Sequence, residues 1–187
     1  MESSGRYTML SGLSGIIAGA LALIGCYLTA FVWASVPTVD QNPAYLAIWI
    51  SALVLAVAQD RVFAERKARK AGGTAWTPAT RQALKALLPG MFLALVLSLR
   101  ALTTFEYDAI PPIWILGYGV SLCAAGMFSI RQLRIFGVVQ LITGAVAVFL
   151  PSIPMFDHPA VSLYLVALSF GVYHIIYGAI TRRECGR

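Results

Sequence analysis

Charge is what this sequence has least of. Of its 187 residues only 12% are Asp, Glu, Lys or Arg, about half the ~25% of an average soluble domain. Histidine appears twice and cysteine three times. Cys26, Cys123 and Cys185 make no CxxC pair and no cluster with histidine, which leaves a disulfide framework or a zinc site without a basis. The GxxxxGK[ST] and GxGxxG nucleotide loops are missing, and Gly117-Tyr118-Gly119 lies inside an apolar run. No Ser, His and acid group into a nucleophile arrangement, and every carboxylate falls outside the apolar runs. The expectation is a chain without enzymatic activity, with no catalytic residue, metal or cofactor.

Apolar residues are what the chain has in excess, at 59%. A membrane span needs ~20 mostly apolar residues, and six such runs read as spans over about 9–34, 44–58, 84–102, 113–130, 133–150 and 160–181. The fold class expected is all-α, an integral membrane six-helix bundle forming a single transmembrane domain over 1–187. The opening MESSGRYTML lacks the cleavage pattern of a signal peptide, so the first run reads as a retained anchor.

The basic residues test this division. Arg6 precedes the first span. Arg61, Arg66, Lys67, Arg69, Lys70, Arg81 and Lys85 lie between the second and third. Arg131 and Arg134 lie between the fourth and fifth, and Arg182, Arg183 and Arg187 follow the sixth. With six spans all of these share one side, whereas the opposite loops hold Asp40, Glu106, Asp108 and Asp157 and no Lys or Arg. The positive-inside rule then puts both termini in the cytoplasm, as in a multi-pass protein of the bacterial inner membrane. The net charge of +6 is thereby a topology signal, and direct nucleic-acid binding is not expected.

The basic loop, 60–83, has internal structure in its sequence. DRVFAERKARK continues the second helix, Ala71-Gly72-Gly73 stops it, Thr77 caps the next helix and Pro78 fits its first turn. Trp76 suits the headgroup level. Besides the bilayer itself, the partners expected here are anionic lipid, at ~1 kcal/mol for each basic residue near the surface, or a cytoplasmic regulatory protein. The opposite loops are short and proline-rich, and His158 beside Asp157 reads as a solvated turn residue.

Three segments share the pattern G-x-x-x-[IL]-I-x-G: Gly12–Gly19, Gly137–Gly144 and Gly171–Gly178. Seven residues is two helical turns, so each glycine pair lies on one face with the fourth position between. That position is Gly15, Gln140 or His174. Small residues let membrane helices approach closely. Gln140 follows Arg134 by ~9 Å of helix and His174 precedes Arg182 by ~12 Å, which puts both polar groups in the same half of the bilayer. The expectation is that helices one, five and six meet there, with Gln140 and His174 hydrogen-bonded, Gly15 giving room and Tyr177 reaching the same notch. A polar residue at such depth is costly and invites a proton or ligand role. A structural hydrogen bond is the principal reading of His174. Haem is disfavoured, because no other span contains histidine.

Arg100 is the one basic residue in the outer half, placed to snorkel toward Glu106 or Asp108 or to hold an anionic group. Pro89-Gly90 marks a kink near the start of the third span, and Gly117, Gly119 and Gly126 permit close packing of the fourth, or make it flexible.

SGLSGIIAGALALIG (11–25), AWTPATRQALKALLP (75–89) and FGVYHIIYGAITRRE (170–184) together resemble an uncharacterised family of small six-span bacterial inner-membrane proteins. Its members are often encoded near winged-helix transcription regulators, and the resemblance implies an accessory or sensory and regulatory role. The fifth and sixth spans also resemble the glycine-rich hairpins of bacterial acid-resistance membrane proteins. Neither likeness supplies a catalytic residue. The alternative function is a small transporter or channel using a polar notch around His174 and Gln140.

Overall fold

The structure, a computed structural model, describes residues 12–35, 37–70, 72–104, 107–150 and 159–184. It is all-helical over these residues. The first helices are α1 (Gly12–Ser35), α2 (Thr38–Lys70) and α3 (Pro78–Thr103). A short turn at Tyr107–Ala109 leads into α4 (Ile110–Ala125), which tightens into one turn at Gly126–Phe128 before α5 (Arg131–Phe149). The sixth rod is composite: α6 (Pro159–Val166), a π turn (Ala167–Val172) and α7 (Tyr173–Glu184). Among the described residues six helices are long and apolar enough to cross a membrane, an architecture compatible with a multi-pass membrane protein. They match the expected spans closely. The largest extensions are at the C-terminal end of α2, as DRVFAERKARK predicts, and at the N-terminal end of α3.

The ends of α2 and α3 follow from local sequence. Gly72 has φ of 70°, a left-handed conformation that costs glycine little. From there Gly72 N–H donates to Arg69 O at 3.1 Å and Gly73 N–H donates to Ala68 O at 3.0 Å. This bond pair closes a helix C-terminus as a Schellman motif. Five residues later Thr77 Oγ1 accepts from Thr80 N–H at 3.1 Å, with Pro78 in the first turn. Pro89 lies within α3, where it removes one ladder bond without ending the helix.

Burial is inverted relative to a soluble protein. Large apolar side chains face outward, among them Leu53 and Val54 of α2, Phe92 and Leu93 of α3, Phe149 of α5 and Ile176 of α7. In α1 and α3 the buried positions are small or polar: Ser14, Gly15, Gly19, Ala22, Gly25, Cys26 and Thr29 in α1, and Ala83, Gly90, Ala94, Ser98 and Ala101 in α3. Lipid tails are as apolar as leucine. Association in a bilayer therefore rests on close backbone packing and polar contacts, not on hiding hydrocarbon from water.

The described residues form two compact units. The first comprises those within 68–165, and the second those within 12–67 and 166–184. In the first, α4 packs against α3 on one side and α5 on the other. Gly117 and Ser121 lie against Gly90 and Ala94 of α3, whereas Gly119 and Gly126 lie against Leu141 and Arg134 of α5. The glycines of α4 thus serve close packing. The second unit is built on α1, which packs along α7 and the π turn and touches α2 locally.

Candidate functional site

The frame at Gly12–Gly19 packs directly on the frame at Gly171–Gly178. The helices run antiparallel, and glycine stands opposite glycine. A Cβ on Gly19 would come 2.5 Å from Gly171 O, and one on Gly12 would come 2.6 Å from Gly178 O. No real Cβ fits at such distances from backbone, so only glycine permits this spacing. Gly15, at the centre of its frame, faces Gly178 Cα at 3.1 Å and His174 O at 3.3 Å from a Cβ position.

The third frame serves a different pairing from the one expected. Cβ atoms at its two glycines would strike α4: at Gly137 they would lie 2.6 Å from Cys123 N, and at Gly144 2.5 Å from Leu116 Cα. The expectation that this glycine face joins helices one and six is corrected here. A G-x₆-G face states that some backbone comes close without specifying whose, and α4 is the next neighbour in the chain. Gln140 is fully buried on α5, where Gly119 passes its backbone. Gln140 belongs to the first unit and His174 to the second.

His174 lies 6% exposed in the α1–α7 region, just after the π turn. In that turn Tyr173 N–H reaches back five residues to Leu168 O. Ser169, inside this turn, has no exposed surface. His174 Nδ1 lies 3.2 Å from Ser169 O. A carbonyl oxygen only accepts, so Nδ1 carries the proton, and in the neutral ring Nε2 bears the lone pair. The ring also stacks on Phe170, with centroids 5.9 Å apart and planes inclined by 23°. The acceptor of this hydrogen bond lies on the histidine's own helix. Tyr177, one turn on, is buried, and its carbonyl accepts from Thr181 Oγ1 at 2.9 Å.

A polar junction that sequence reasoning missed lies beside Gly15. Ser14 Oγ donates to Asp60 Oδ1 at 2.7 Å, and Gln59 Nε2 donates to Ser14 O at 3.1 Å and to Ala56 O at 3.1 Å. Asp60 had seemed the first residue of a basic loop. Because α2 runs on without a break past the apolar stretch, Asp60 keeps a helical position from which it meets a buried hydroxyl of α1. The available signal was that continuity, combined with a serine inside the first glycine frame.

Arg100 is exposed near the C-terminal end of α3. Among the described residues no ion pair joins it to Asp108; Glu106, its other expected partner, lies outside them, as do Arg6, Asp157, His158, Cys185 and Arg187. Comparisons with protein-family models, with curated proteins and with solved structures return no match to this chain.

Proposed function

We propose that this chain is an integral protein of the bacterial inner membrane, with both termini cytoplasmic, that acts as an accessory or sensory and regulatory component without chemistry of its own. Its working surface is the basic segment between α2 and α3, which meets anionic lipid or a cytoplasmic regulatory protein. The observation that carries this reading is the ordered arm at the end of α2. That helix has 33 residues, about 50 Å at 1.5 Å per residue, against a hydrocarbon layer of about 30 Å. The surplus carries Arg61, Arg66, Arg69 and Lys70, all exposed, and it ends in the built cap at Gly72. Arg81 and Lys85, on the first turns of α3, are exposed as well. A rigid cationic arm of this kind suits a negatively charged surface.

A photo-crosslinking residue at Val62, exposed on the arm, tests this in living cells. A reproducible adduct with one protein, or with anionic lipid, is expected. It should be lost when Arg61, Arg66, Arg69 and Lys70 are changed to glutamine. An adduct that survives neutralisation, or labelling of the arm from the periplasmic side, would sink the reading.

The second reading, a small transporter or channel, draws on two polar side chains buried in apolar helices, Gln140 and His174. Its discriminating measurement is flux of protons or small solutes through purified protein in liposomes. Flux that His174→Ala abolishes would favour transport over the regulatory role.

A further inference from the structure

Hydrogen-bond donors and acceptors do not balance where α1 meets α2. Ser14 is fully buried, and two neighbouring side chains of α2 converge on it. Its Oγ donates to Asp60 Oδ1, and Gln59 Nε2 donates to its carbonyl and to that of Ala56. An amide nitrogen has two hydrogens and a hydroxyl has one, so each of these three is committed. Gln59 Oε1 is sealed from solvent and receives none. Turning the amide over does not help, because Oε1 would then face the two carbonyls that Nε2 now serves. A buried acceptor without a donor is costly. The junction is therefore short of one hydrogen, and it contains one group that gains a hydrogen by binding a proton, the carboxylate of Asp60.

We propose that Ser14, Gln59 and Asp60 form a proton-binding site, with Asp60 as the group that takes the proton. One O–H bond forms on the carboxyl, and nothing is oxidised or reduced. A protonated carboxyl donates as well as accepts. Asp60 then donates to Ser14 Oγ, and the Ser14 hydroxyl hydrogen turns toward the Gln59 amide, which already touches the same residue. Asp60 lies just past the apolar run 44–58. Burial there favours its uncharged form, and outweighs the Ser14 hydrogen bond and the adjacent Arg61, which favour the charged one. In α1 no ionisable residue lies within two turns of Ser14 on its C-terminal side. Glu65 and Arg66, further along α2, and Arg182 of α7 are exposed. The site sits at the root of the basic arm, and it binds its proton whatever that arm meets.

The test is thermal unfolding of the full chain in detergent, from about pH 8 to about pH 5, against Asp60→Asn, which holds a neutral, donor-bearing group at every pH. The folded carboxyl keeps its proton where the unfolded one, at about 3.9, has lost it. The parent therefore gains stability as pH falls through the folded value. Asp60→Asn is expected to melt about 2–4 °C above the parent at the upper end of the range, the effect of one hydrogen bond in a chain of this size, and level with it at the lower end. Adding Gln59→Leu to both proteins removes the acceptor that lacks a donor, and should shrink that gap by about half or more. Infrared difference spectra between the two ends should show a protonated-carboxyl band in the parent that Asp60→Asn lacks. A gap that does not change with pH, a gap unaffected by Gln59→Leu, or the lack of such a band overturns the proposal. So does a gap that follows sodium at fixed pH, which would mark a metal-cation site instead.

Discussion

Two antiparallel glycine seams of this molecule differ in register. Between α1 and α7 the frames coincide, so Gly12 meets Gly178 and Gly19 meets Gly171. Between α4 and α5 the glycines are staggered. Gly119 and Gly126 meet Leu141 and Arg134, and Gly137 and Gly144 meet Leu122, Cys123, Ile115 and Leu116. In the first seam the close approach is concentrated where two glycines face each other, and the polar groups Ser14 and His174 lie beside it. In the second, each glycine receives the backbone of a larger residue, and the approach is spread along the helix pair. Two arrangements therefore give close contact in a bilayer: matching glycines, or fitting each into the backbone of a fuller neighbour. In the first, Gly15 at the frame centre is opposed less tightly than Gly12 and Gly19.

This comparison can be broken by adding single methyl groups. Large losses are expected where a Cβ meets backbone well inside contact distance, as at Gly19 and Gly137. Gly19→Ala and Gly137→Ala should each cost roughly 3 kcal/mol, the upper part of the range for overpacking, and thermal unfolding in detergent should show both well below the parent. Equal tolerance of the two would mean that neither seam is as close as described. Gly15→Ala sharpens the contrast within one seam. Its Cβ would lie 3.1–3.4 Å from its three nearest atoms, so the loss should be nearer ~1 kcal/mol, clearly smaller than at Gly19. Ser14→Ala, which leaves Asp60 without its donor, should cost about 1 kcal/mol and loosen α2 from α1, read as faster proteolysis at the end of α2. Gly72→Ala has open space but a left-handed backbone, so about 1 kcal/mol is expected from conformation alone. The smallest effect belongs to Gly25→Ala, whose Cβ would make ordinary contact with the Trp49 ring at 3.5 Å; a change within about 0.5 kcal/mol of the parent is expected.

Much of this was legible in the residues because it is local. The six apolar runs, the continuation of α2, the stop at Gly72, the cap at Thr77 and the three glycine frames each depend on neighbours within a few positions. Identical frames did not reveal their partners. The pairing of 12–19 with 171–178 joins the two ends of the chain, whereas 137–144 turns to the adjacent α4, and a glycine face carries no address. The π turn was also hidden, because the same residues satisfy an α-helical apolar pattern equally well until their burial is known. Asp60 was misjudged for a related reason: composition marks where an apolar run ends but not which way a continuing helix points its next side chain.

The sequence by itself determined that the chain is helical, that six of its segments suit a bilayer, and where several helices begin and end. Hydropathy, caps and left-handed glycine act on the backbone within a turn or two of themselves. Tertiary structure alone decided which glycine face meets which, that His174 donates to the Ser169 carbonyl on its own helix, and that Asp60 binds Ser14. Those outcomes depend on residues far apart in the chain, or on the π turn within one helix, and backbone packing selects among arrangements that the local sequence leaves equal.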